Sequence, residues 1–127
     1  MQQTNLFEYA VLRIVPKVER EEFMNVGVIL YCSKLNFLQT LYKLNEERLR
    51  IFCTHIDTEE LLQNLQAFER ICVGGQDAGP IGTLATAERF RWLTATRSTI
   101  LQTSKVHPGF STNPQETLTR LYTQLVL

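Results

Sequence analysis

"FMNVGVILYC", Phe23 to Cys32, is the stretch on which the fold turns. Its apolar residues fall on both alternating sets of positions, so it reads as a strand mostly buried on both faces. Gly27 inside it predicts a bulge, or a close approach by another backbone or a ligand. Upstream, "YAVLRIV" (Tyr9 to Val15) is rich in β-branched residues, stops at Pro16 and reads as a second strand, with Arg13 interrupting its apolar run. The charged "PKVEREE" is the turn between the two. Downstream, "SKLN" turns the chain into "FLQTLYKL" (Phe37 to Leu44), a third strand. Connections this short imply an antiparallel meander.

From Asn45 the period changes. "NEERLRIF" carries a capping Asn, two acids in its first turn and apolar Leu49 and Phe52, which predicts a short helix. Asp57 caps a second helix, "TEELLQNLQAFERICV", with Leu61, Leu62, Leu65, Phe68 and Cys72 on one stripe. "GGQDAGPIG" (Gly74 to Gly82) is a loop. "TLATAERFRWL" is read as a helix through Leu84, Ala87, Phe90 and Leu93, "RSTILQT" (Arg97 to Thr103) as a strand added to the sheet, and "VHPGFSTNP" as a loop. Asn113 and Pro114 open a last helix with Leu118, Leu121, Tyr122 and Leu125 toward the core. The expected fold is one α+β domain over residues 1–127: an antiparallel sheet of about four strands, helices packed on one face, and a C-terminal helix.

Size and composition agree. A chain of 127 residues suffices for one core, and 44% hydrophobic against 20% charged residues describes a folded chain. Thirteen basic residues balance thirteen acidic ones, which argues against general nucleic-acid binding. No basic leader with a long apolar run opens the chain, and no segment reaches the roughly 20 apolar residues that span a bilayer, so no membrane association is expected. Cys32, Cys53 and Cys72 are odd in number and lie in apolar surroundings. They read as free thiols in a reducing, cytoplasmic setting.

Several chemistries find no support in the residues. His55 and His107 are far apart and no cysteines have C-x-x-C spacing, so no metal site and no cofactor is expected. No phosphate-binding loop motif and no G-x-S-x-G elbow occurs. If the protein were an enzyme, Glu19 or His107 would be its base.

The segment that stands out is "RFRWLTATRSTILQTSKVHPG", Arg89 to Gly109. It carries three arginines, a lysine, a histidine and six hydroxyls around the single tryptophan, and no acid lies between Trp92 and Gln115. On a helix Arg89 and Arg91 stand about 200° apart, so one faces solvent and the other faces inward. Arginine and hydroxyl groups on one strand suit bidentate recognition of carboxylate or phosphate. His107 adds a donor that titrates near neutrality. Two readings stand side by side: a site for an anion or partner, or an internal network in which Arg97 pairs with an acid such as Glu19.

"YAVLRIVPKVEREEFMNVGVILYC", followed much later by "ERFRWLTATRSTILQTSKVHPG", resembles a bacterial family of small proteins known as domain of unknown function 3037. The shared pattern falls on Tyr9, Arg13, Val18 to Arg20, Asn25 to Val28, Glu88 to Leu93, Arg97 to Thr99, Gln102, Ser104, Val106, His107 and Gly109. Glu21 departs from a usual glycine, and Thr96 from a proline that often precedes the arginine. The resemblance carries no activity. Its members' habit of sitting beside genes for kinases similar to the HipA toxin type implies a kinase-like protein partner and a regulatory role. The candidate binding residues are Arg13, Glu19, Arg20, Asn25, Arg89, Arg91, Arg97, Ser98, Gln102 and His107, and Arg13, Arg20, Arg89 and Arg97 are expected to meet at one water-accessible place. The first reading is a non-catalytic interaction module. The alternative is a small enzyme or ligand-binding domain for a phosphate-bearing metabolite or nucleic-acid end.

Overall fold

The structure is a computed structural model that describes residues 3–16, 22–53, 55–95 and 99–127. β1 (Asn5–Ile14), β2 (Met24–Cys32) and β3 (Phe37–Tyr42) form the expected antiparallel meander. Helices α1 (Glu46–Phe52), α2 (Thr58–Val73) and α3 (Thr86–Leu93) follow, then β4 (Leu101–Thr103), β5 (His107–Ser111) and α4 (Pro114–Leu125). The caps expected from the sequence are in place. Asn45, Asp57 and Asn113 accept from the backbone N–H groups of Arg48, Glu60 and Glu116, satisfying donors that a helix start leaves open.

The sheet order is β3-β2-β1-β4, and β5 shares the fourth position by pairing with the other half of β1. The sheet therefore has five strands but is four wide. β4 lies against Leu12 to Ile14 and β5 against Asn5 to Tyr9. Between them Ser104 replaces part of the ladder with its side chain. Its N–H donates to the Val11 carbonyl at 2.8 Å, while the Val11 N–H donates to its hydroxyl at 2.9 Å.

Two differences from expectation have physical causes. His107–Ser111 is a strand rather than a loop, although it holds Pro108 and Gly109. An outer strand tolerates proline because alternate N–H groups face away from its neighbour. Gly109 lies beneath the Phe7 ring, where a Cβ would collide with the ring carbons. The second difference concerns the helices. α1, α2 and α3 cover one face, as expected, but α4 covers the other.

The cause is β2. All of its residues except Asn25 are buried. Met24, Val26, Ile29 and Tyr31 join Leu49, Leu61, Leu65 and Phe90 in one core cluster. Val28, Leu30 and Cys32 join Phe7, Leu118, Leu121 and Val126 in a second. Side chains alternate across a strand, so a strand apolar at both sets of positions needs cover on both sides. Gly27 also lies against β3, with no space for a Cβ between it and Leu41 and Tyr42.

Candidate functional site

α4 packs over β2 and β3. The same face of β1, with its neighbours β4 and β5, extends beyond that cover. Phe7, Tyr9, Val11 and Arg13 alternate with the core residues Ala10, Leu12 and Ile14, and so point to the α4 side. Arg13 is flanked by Asn25 on β2 and by Gln102 on β4. The three form a row across adjacent strands. A second row, Tyr9 with His107, lies four residues away, about 13 Å along the strand.

A bulge places Asn25 in the first row. The pairing runs Leu12 with Gly27 and then Arg13 with Asn25, so Val26 is an extra residue on β2. One added residue reverses the facing of everything beyond it. Without it, Asn25 would point into the core under α1 to α3. With it, the Asn25 amide donates to the Leu125 carbonyl at 3.1 Å and holds the end of α4 against the sheet. Its Oδ1 is buried without a partner.

Arg13 is half-buried in the middle of the sheet. Its guanidinium carbon stands 4.0 Å from the centre of the Phe23 ring, a cation–π contact, while its Nε is buried and unbonded. Among the described residues no carboxylate pairs with it. Gln102 donates to the Thr99 carbonyl at 2.8 Å, closing the turn that leads into β4. His107 is exposed, and its ring lies 5.3 Å from that of Tyr9.

Arg89 and Arg91 lie elsewhere. Phe90 and Leu93 of α3 pack with Ala10, Leu12 and Ile14, on the face opposite Arg13. Arg91 is exposed, and Arg89 turns inward, as the helical spacing requires. Arg89 donates from Nη1 to the carbonyls of Ile71 and Cys72 at 3.0 and 2.8 Å, and from Nε to that of Leu84 at 3.1 Å. These carbonyls include the open acceptors at the end of α2, where a cation is also favoured by the helix dipole. The expected meeting of Arg13 with Arg89 therefore does not form. Glu19, Arg20, Arg97 and Ser98 lie outside the described residues.

Tyr9 and Phe23 were not among the candidate residues, yet they flank His107 and Arg13. Tyr9 carried a signal: Phe7, Tyr9 and Arg13 share one alternation phase. Phe23 carried none, because its contact depends on the bulge that shifts β2. Burial pushes the Cys72 thiol up to about 12, which leaves it inert as a nucleophile at neutral pH. Burial also raises Tyr42, with a smaller contribution from the Glu69 carboxylate that its hydroxyl meets at 3.3 Å. Among the described residues no group of three His, Cys, Asp or Glu side chains is placed to hold a metal ion. No helix of the described residues is long and apolar enough to cross a membrane.

A family model described as "Protein of unknown function (DUF3037)" matches residues 9–126. The chain belongs to that family. No curated protein and no solved structure matches it. Within this DUF3037 chain the matched span takes in both rows on the α4 side, as well as Arg89 and its carbonyl partners. Motif residues thus divide by contact: Arg89, Ser104 and Gly109 hold the fold together, whereas Arg13 meets no carboxylate among the described residues.

Proposed function

We propose that this DUF3037 protein is a non-catalytic interaction module. It binds an anionic group of a protein partner at the strip of sheet beside α4, through Arg13 with Asn25 and Gln102, and with His107 at the far end. The observation that carries this reading is the half-buried Arg13 guanidinium, which among the described residues meets only an aromatic face. Holding a cation partly away from water is unfavourable unless an anion compensates it, so the position suits binding of a carboxylate or phosphate. Catalysis has less support. The His107 ring lies tilted against Tyr9, and burial favours the protonated Cys72 thiol.

The resemblance noted from the sequence makes a kinase-like protein of the HipA toxin type the first partner to test. The assay is titration calorimetry of the full chain against such a protein, with Arg13→Met retaining the stem against Phe23. Binding should weaken about tenfold or more in the variant and should fall with added salt, as expected for a charge-assisted contact. Unchanged affinity in a folded Arg13→Met protein defeats the proposal. The same guanidinium would serve a phosphate-bearing metabolite. A melting temperature raised by nucleotides or sugar phosphates in the isolated chain favours that second reading.

A further inference from the structure

A cavity of about 570 Å³ opens at the end of the sheet where β2 begins, between α1 and the last turn of α4. Its walls include Phe23, Met24, Phe52, Leu125 and Val126, with Ile51 beside them. Ile51 is 88% exposed and Phe23 47%, a marked exposure of apolar surface at one spot. Among the described residues lining the cavity, Arg48 is the charged one. Its backbone is fixed in the first turn of α1 by the Asn45 cap at 3.2 Å. Among the described residues its guanidinium has no ion pair. Across the cavity, the bond from Asn25 to the Leu125 carbonyl ties the end of α4 to β2 and keeps the opposite wall in place.

We propose that this cavity binds a small amphipathic carboxylate. The acid group takes the Arg48 guanidinium, and the apolar tail lies along Phe52, Leu125 and Val126, covering Phe23 and Ile51. The volume falls within the roughly 300–1,000 Å³ of small-molecule sites. The Arg48 guanidinium matches a carboxylate in a two-point contact. This site shares Asn25 and Phe23 with the Arg13 row but takes its charge from Arg48, and its ligand is read on the isolated chain. Failure here leaves the partner surface standing, and the reverse also holds.

The test is titration calorimetry of the full chain with hexanoate, octanoate and decanoate, each below its micelle concentration, and with 1-octanol as the uncharged control. Saturable one-to-one binding is expected, tightening about fourfold per added methylene until the cavity is filled. Arg48→Gln should weaken octanoate about tenfold and leave octanol unchanged. Ile51→Asp, at a solvent-facing position that leaves the core intact, should weaken octanoate further by repulsion. Non-saturating heats overturn the proposal, as does octanoate affinity that both variants leave unchanged. So does ultracentrifugation showing the wild-type chain as a dimer that Ile51→Asp returns to monomer, since a second copy then covers this surface.

Discussion

Replacing Arg89 by Met removes three hydrogen bonds and keeps most of the apolar stem. Two of the lost bonds reach the partly buried carbonyls of Ile71 and Cys72, and the third reaches the more exposed Leu84. Water replaces much of the third. At a net ~0.5–1.5 kcal/mol for each remaining bond, with a further fraction from the cation at the end of α2, the loss comes to about 2 kcal/mol. For a domain of this size that corresponds to a melting temperature lower by roughly 6–10 °C. Arg91→Met on the opposite side of α3, where the side chain is exposed, serves as the control and should stay within about 0.5 kcal/mol of wild type. Urea unfolding followed by circular dichroism gives both values under one protocol. Equal midpoints for the two variants would refute the assignment of Arg89 as the clasp between α2 and α3. Partner affinity unchanged by Arg89→Met, once folding is allowed for, is the second expected result.

Ser104→Ala should cost about 1–3 kcal/mol, because it leaves the buried Val11 N–H without its acceptor, and amide exchange at Val11 should accelerate. Equal exchange at Val11 in both proteins speaks against that role. Leu118→Ala should cost about 2–5 kcal/mol in denaturant unfolding, since Leu118 is fully buried between α4 and β2; a loss under 1 kcal/mol would mean that α4 is not part of the folded core. The Cys72 thiol ionises near 9 in the unfolded chain and at about 12 when folded, so the unfolded state loses its proton first. Its contribution is therefore complete below pH 9 and declines as pH rises from about 9 to 12, by at most about 1.4 kcal/mol per pH unit. Unfolding curves for wild type and Cys72→Ala across that range should converge as pH rises, and parallel curves would contradict the assignment.

The meander and the helix caps were legible because they rest on local chemistry: alternation in β1 to β3, Asn45, Asp57 and Asn113 at helix starts, and Pro16 as a stop. The face chosen by α4 was harder to read. An amphipathic pattern says which stripe of a helix is apolar, not which side of a sheet it meets. The doubly buried β2 was the clue that one face of helices could not suffice. β5 was hidden by Pro108 and Gly109, which punctuate a chain unless it runs along a border. At the site, Arg13, Asn25, Gln102 and His107 were identifiable one by one, but their rows depend on cross-strand register and on the extra Val26. Arg89 was expected at the shared site. Its partners are main-chain carbonyls of another helix, and no side-chain pattern announces those.

The division of the fourth sheet position between two short strands has a consequence for assembly. Its outer border is interrupted at Ser104 and bears Lys105 and Pro108, so it offers no long run of open amides for a neighbouring molecule to copy. Fibre-like growth by lateral strand addition is discouraged on that side. Whatever docks there must grip side chains rather than extend the ladder.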